Sequence, residues 1–159
     1  MISIIIPTYN EADQIAQTIN KTCAANGNEE VEVIVVDGGS IDDTRGIAKN
    51  CGAQVVLCER KGRAAQMNVG ATLSKGEILY FLHADSIPPK DFATQIINAH
   101  NKGAVCGCFR LAFDNTHWFL RANAWFTRFN VNAVRFGDQS LFVARHVFLK
   151  SGGFNERLL

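Results

Sequence analysis

Four short apolar runs, separated by segments of helical periodicity, constrain this chain more than any other feature. They are Ile2 to Ile6, Val31 to Val36, Gln54 to Cys58 and Glu77 to Leu82. The first is apolar, β-branched and closed by Pro7, which suits a strand buried on both faces. Between the runs, Ala12, Ile15, Ala16, Ile19 and Cys23 recur at helical spacing and end near Gly27. A second helix is expected to run to about Cys51 and stop at Gly52, with Ser40 as its N-cap and Asp43 in an acidic first turn. A third is expected from Ala64 to Ser74, stopped by Gly76. Strand and helix in strict succession imply right-handed crossovers, and so an α/β fold: a Rossmann-like, mostly parallel sheet with helices on both faces.

Beyond Pro88 and Pro89 the pattern changes. Asp91 to His100 is predicted helical, with Phe92, Ile96 and Ala99 on one face. Val105, Gly107, Phe109, Leu111 and Phe113 alternate as a strand with two unlike faces does. The stretch from His117 to Phe136 is aromatic, basic and predicted helical; Ser140 to Ala144 is a short strand, followed by a brief helix and Gly152-Gly153. No repeat or linker divides the chain, so 1–159 is expected to be a single domain. At 47 % apolar and 19 % charged it has the composition of a folded domain. A net charge of +1 gives no case for a nucleic-acid partner. No apolar run reaches the ~18 residues of a spanning helix. Five cysteines, an odd count without a signal peptide, favour reduced thiols in a cytoplasmic setting. Cys106 and Cys108 flank a glycine but lack partners at zinc-ligand spacing.

In open parallel sheets ligands bind outside the carboxyl ends of the strands, and the polar residues here collect there. The first run ends in Pro7-Thr8-Tyr9-Asn10-Glu11, the second in Asp37-Gly38-Gly39-Ser40, and the fourth in His83-Ala84-Asp85, while Gly62-Arg63 lies just beyond the third. Each has a plainer reading: a strand-to-helix turn in which Asn10 or Glu11 serves the next helix, a tight glycine turn after Asp37, a solvated Arg63. Yet an ionised Asp37 directly after a buried strand is costly unless something pairs with it, and a ring N–H donor or a metal would serve. Asp85, between an apolar strand and a proline loop, is held rigidly at the sheet edge. A hard divalent cation bridging to phosphates needs such a carboxylate and little else from the protein.

IIIPTYNE followed by VIVVDGGSIDDT resembles the opening of family-2 glycosyltransferases with the GT-A fold. GRAAQMNVGA, ILYFLHADSIPP, FGDQSLFVAR and SGGFNE, in that order, are similar to a bacterial branch with HAD at the metal-site tripeptide and GDQ before the GGF segment. The resemblance covers essentially the whole chain. It implies a nucleoside-diphosphate sugar donor (UDP- or GDP-sugar), an acceptor hydroxyl of unspecified identity, inversion of configuration and a cation, Mn2+ or Mg2+. By the same resemblance Pro7, Thr8, Tyr9 and Glu11 surround the nucleoside, Asp37 with Gly38 receives the base N–H, Arg63 lies near the nucleotide, and Asp85 holds the metal. Residues 1–100 then form the nucleotide-sugar half, and 101–159 part of the acceptor side.

Two departures from the family pattern matter. His83 stands at the first position of the DxD-like element, so a bidentate acidic pair is absent. The Glu-Asp pair usual after GGF is also absent, only Glu156 lying there, which leads us to expect a C-terminally truncated chain or another catalytic base. Asp138, in Gly137-Asp138-Gln139, is the available substitute; it could instead line the acceptor pocket or cap the following segment. Trp118, Phe119, Trp125, Phe126 and Phe129, mixed with Arg121, Arg128 and Arg135, admit peripheral membrane association at the inner face, a core-packing helix, or a sugar platform. Apolar surface left by a missing segment could drive homo-oligomerisation. A dinucleotide oxidoreductase or a P-loop ATPase would need a glycine-rich turn where Pro7-Thr8-Tyr9 stands. A sugar nucleotidyltransferase would need a glycine-rich, basic loop there. A nucleotide-sugar-binding module without turnover is the non-enzyme alternative.

Overall fold

The computed structural model describes residues 1–109 and 140–157. Its strands are β1 (Ile2–Thr8), β2 (Val31–Asp37), β3 (Gln54–Leu57), β4 (Ile78–Phe81), β5 (Cys106–Cys108) and β6 (Leu141–Ala144). Its helices are α1 (Ile15–Ala24), α2 (Thr44–Asn50), α3 (Arg63–Leu73), α4 (Phe92–Asn101) and α5 (Arg145–Lys150). The strands form one sheet in the order β3-β2-β1-β4-β6-β5. β1 to β4 are mutually parallel, β6 runs antiparallel to β4, and β5 antiparallel to β6.

Alternation along β1 feeds two cores. Ile2, Ile4 and Ile6 meet Ile15 and Ile19 of α1, Ala48 of α2, and Phe92 and Ile96 of α4. Ile5 on the other face, with Ile34 and Val36 of β2, meets Ala65 and Ala71 of α3 and Phe148 of α5. Helices therefore cover both faces, as a parallel sheet requires. Each of these fully buried isoleucines contributes roughly 1.5–3 kcal/mol of transfer free energy. Because β1 is buried on both sides at the centre of the sheet, its loops leave from a rigid base.

Three local expectations are corrected. Pro7 does not close β1; the strand continues to Thr8. Pairing with β4 stops at Ile5, so from Pro7 onward β1 has a ladder neighbour only in β2 and the missing N–H is tolerated. α1 starts at Ile15 rather than near Ala12, after a turn in which Glu11 O accepts from Gln14 N and Ile15 N, while the N–H groups of Glu11 and Ala12 donate to Thr44 Oγ1 at 2.8 Å and Asp42 Oδ2 at 3.1 Å. Its buried stripe is Ile15, Thr18, Ile19 and Thr22, leaving Cys23 exposed; two threonines, polar by type, occupy positions that an apolar count skips. Ser40 does not cap α2, which begins at Thr44 after Asp43. The hydroxyl is spent on Asp37.

The strand expected from Val105 is present as β5, Cys106–Cys108; its expected continuation to Phe113, the aromatic-basic stretch and Asp138 lie outside the described residues. Among the described residues no helix is long and apolar enough to cross a membrane.

Candidate functional site

The order β3-β2-β1-β4 means that the chain leaves β1 to build outward on one side and returns to build on the other. The ends of β1 and β4 flank this reversal, where open sheets leave a crevice. Parallel strands bring Thr8 to Glu11, Asp37 to Ile41, Arg63 at the head of α3, and His83 to Asp85 to the same edge.

Asp37 is the last residue of β2, paired across from Thr8, and its side chain is 0 % exposed. Oδ1 accepts from Gly39 N at 3.0 Å and Ser40 N at 2.9 Å; Oδ2 accepts from Ser40 Oγ and, at 3.4 Å, from Thr8 Oγ1. Arg45 Nε lies 3.8 Å from Oδ1. These donors offset the cost of burying the carboxylate. The pairing demanded by sequence reasoning thus comes from the protein itself, through a turn that Gly39 permits with φ 92°.

The loops after β1 and β2 are laced together. Asn10, in the left-handed region with φ 56°, donates its N–H to Ser40 Oγ at 2.8 Å, and its side-chain oxygen accepts from Ile41 N at 2.9 Å. Asn10 therefore serves the neighbouring loop, whereas Glu11 serves the next helix, its carbonyl accepting from Gln14 N and Ile15 N. Beneath them Gln66 of α3, buried, donates to Thr8 O at 2.7 Å and Val36 O at 2.8 Å. Thr8 is buried, its carbonyl accepts from Gly38 N at 2.9 Å, and Tyr9 is 59 % exposed.

Asp85 is exposed and accepts from Ser86 Oγ at 3.3 Å. Glu11 shares its surroundings: burial pushes the Glu11 carboxyl above its ordinary value, the charges of Asp85 and then Asp42 push it further, and Arg63 pulls it down. The charges of Asp85, after β4, and of Arg63, at the head of α3, thus both act on the Glu11 carboxyl. Beside them opens a pocket of about 210 Å3 lined by Pro7, Arg63, Met67, Phe81, Leu82, His83, Leu141 and Phe154. Among the described residues no group of three or more His, Cys, Asp or Glu side chains is placed to enclose a metal.

The far wall comes from the segment after α5. Asn68 of α3 accepts from Phe154 N at 2.9 Å and donates to Phe154 O at 3.0 Å and Glu156 Oε1 at 2.9 Å. Arg60 Nη1 lies 2.8 Å from both Glu156 oxygens. The structure therefore brings Pro7, Thr8, Tyr9, Glu11, Asp37, Gly38, Arg63 and Asp85 to one edge, while Asp138 lies outside the described residues. Gln66, Asn68, Arg60 and Phe154 were not singled out from sequence. The signal was available for two of them: Gln66 and Asn68 are amides inside an otherwise small and apolar helix, where a polar side chain is expected to have a partner.

Residues 3–153 match the profile of Glycosyl transferase family 2. Glycosyltransferase AglE of Haloferax volcanii is 37 % identical over 94 residues, which are 55 % of this chain and 31 % of AglE. The mannosyltransferase PcManGT of Pyrobaculum calidifontis, solved with GDP-Man and Mn2+, superposes with TM-score 0.73 at 22 % identity over 97 % of this chain and 47 % of that one. Glucosyl-3-phosphoglycerate synthase of Mycobacterium tuberculosis, solved with Mn2+, UDP and phosphoglyceric acid, gives TM-score 0.69 at 22 % identity over 93 % of this chain and 57 % of that one. These likenesses establish the GT-A fold. The chain spans about a third to somewhat over half the length of these proteins.

Proposed function

Since this chain belongs to Glycosyl transferase family 2, we propose that it binds a nucleoside-diphosphate sugar, UDP- or GDP-linked, across the ends of β2, β1 and β4 and transfers the sugar to an acceptor hydroxyl. The observation that carries this reading is the gathering of Thr8 to Glu11, Asp37 to Ile41, Arg63 and His83 to Asp85 at one sheet edge, where Pro7, Arg63 and His83 line one pocket. Tyr9 offers an exposed ring to the nucleoside, with Pro7, Thr8, Glu11 and Gly38 around it. Asp37 fixes the Gly38–Ser40 turn beneath, and a direct contact to the base requires Oδ2 to exchange the Ser40 hydroxyl for the ring N–H. Arg63 supplies positive charge for the diphosphate.

The donor set fits a divalent cation that takes most of its ligands from the ligand's phosphates: one exposed carboxylate, Asp85, in the turn that follows β4. GDP-Man and UDP complexes with Mn2+ in two proteins of the same fold support Mn2+ or Mg2+ at this position. When bound, such an ion offsets the charge that grows on the departing diphosphate. Asp85 would hold that ion, and Arg63 draws the phosphate charge toward the head of α3. We assign proton removal from the acceptor hydroxyl to Asp138, with attack opposite the leaving group and inversion at the anomeric carbon.

Calorimetry with UDP and GDP, with and without Mn2+, tests the reading. One of the two is expected to bind in a metal-dependent manner, and Asp85→Asn is expected to weaken that binding at least tenfold. Metal-independent binding, or none to either nucleotide, would overturn it. Binding without transfer would instead favour a donor-binding module, and release of pyrophosphate would identify a nucleotidyltransferase. Asp138→Asn is expected to abolish transfer while donor affinity stays within twofold; unchanged transfer removes Asp138 as the base.

A further inference from the structure

We propose that Phe154 is the wall against which the transferred sugar lies, and that Arg60, Asn68 and Glu156 form a clasp whose task is to position it; this rests on the donor site assigned above. The sheet order supplies the first argument. Nucleoside contacts sit at the ends of β2 and β1 and the phosphate contacts at the end of β4. Neighbouring strands are about 4.8 Å apart, so a donor lying along this edge carries its sugar past β4 toward β6. The register pairs Phe81 with Leu141, so β6 begins where β4 ends, on the same edge. The pocket lies there, lined both by Arg63 and His83 and by Leu141 and Phe154. A mostly apolar lining with few polar groups suits the C–H face of a sugar ring adjoining a charged diphosphate.

The second argument is how firmly Phe154 is held. Its ring meets Phe81 at 5.0 Å and Phe148 at 5.1 Å between centroids, both edge-on. Its backbone N–H and carbonyl are both taken by the Asn68 amide. Glu156, two residues on, is gripped by Arg60 and by Asn68. Gly153 makes the turn with φ 77°, and a Cβ there would stand 2.6 Å from Asn68 Oδ1. An exposed ion pair alone is worth little. Here it is joined to an amide that shares the same carboxylate, and together they set one aromatic ring on the same helix that carries Arg63. That coupling would fix the distance between the diphosphate contact and the sugar contact.

The test compares a nucleoside diphosphate with the corresponding nucleotide sugar, UDP against UDP-glucose and GDP against GDP-mannose, by calorimetry with Mn2+. Wild-type protein that binds none of the four defeats the donor site itself. Given binding, Phe154→Ala is expected to weaken the nucleotide sugar at least tenfold and the bare diphosphate less than twofold. Phe154→Leu, which keeps an apolar side chain in the cluster, is expected to show the same selectivity in a smaller degree and decides the matter where the alanine variant does not fold. Arg60→Glu and Glu156→Arg are each expected to produce part of the sugar-selective loss, and the double exchange to recover the share that the ion pair carries, the Asn68 bond to the carboxylate being lost. Equal losses for sugar and diphosphate, or none, in the Phe154 variants would overturn the wall; a double exchange that recovers nothing would overturn the clasp.

Discussion

At Gln66 a single amide donates to carbonyls of two strands, Thr8 O at 2.7 Å and Val36 O at 2.8 Å, so it sets the spacing of the loops that follow β1 and β2. Gln66→Leu keeps much of the volume and leaves Val36 O with the long contact from Thr8 Oγ1 at 3.5 Å, whereas Thr8 O retains Gly38 N at 2.9 Å. A loss of about 1–3 kcal/mol is expected in urea denaturation, together with weaker nucleotide binding. Asp37→Asn should be worse for the loop: one of its carboxylate oxygens becomes an NH2 facing donors. We expect a stability loss of about 1–3 kcal/mol, seen in the same measurement. Ser40→Ala separates the two duties of Asp37. It should destabilise the Gly38–Ser40 turn, and if the base N–H takes the vacated oxygen, nucleotide affinity should fall less than stability does. The position of Asp37 at the end of an apolar strand was legible in the sequence; its donors were not, since Gly39, Ser40 and Thr8 converge on it only after folding.

At the level of elements, α3 carries more than its sequence announces. It lies close on the sheet because Gly70 presents no side chain: a Cβ there would meet Ile5 Cγ2 at 2.5 Å and Val36 Cγ2 at 3.1 Å. Gly70→Ala should cost about 1–3 kcal/mol by overpacking and shift Arg63, Gln66 and Asn68 together, so a melt and a binding isotherm should both report it. The opposite edge has its own fastener. Burial pushes the Glu32 carboxyl up, but hydrogen bonds from Ser3 Oγ and from the N–H groups of Lys75 and Gly76, with the Lys75 charge, hold it below its ordinary value. A depressed carboxyl contributes stability above the unfolded pKa of about 4.3 and loses it as pH falls through the lower folded value. Glu32→Gln should therefore destabilise the protein at pH 7, and the gap from wild type should narrow below about pH 4. A gap independent of pH would reject the assignment. Helix and strand positions were readable from periodicity, but the start of α1 was not: the turn before it is tied to Thr44 and Asp42, 33 and 30 residues away in the chain.

For the whole molecule, the proposed site makes folding and ligand binding one equilibrium. At about 100 times its Kd, a nucleoside diphosphate with Mn2+ adds about 2.7 kcal/mol of stability. For a domain of this size that corresponds to roughly 5–10 °C in Tm, and a thermal-shift series should lose the increment when the metal is chelated. The amino-acid sequence by itself determined the alternating architecture and the collection of polar residues at strand ends, because hydrophobic period and strand direction are local properties that parallel pairing then carries to one edge. It also carried the family resemblance. Only the tertiary structure decided which oxygen meets which donor, that Asn10 serves the neighbouring loop while Asp37 is sealed beneath its own turn, and that Phe154 is joined through Asn68 to the helix bearing Arg63. Those contacts lie 31 and 86 residues apart in the chain, and no periodicity reports a partner at such separations.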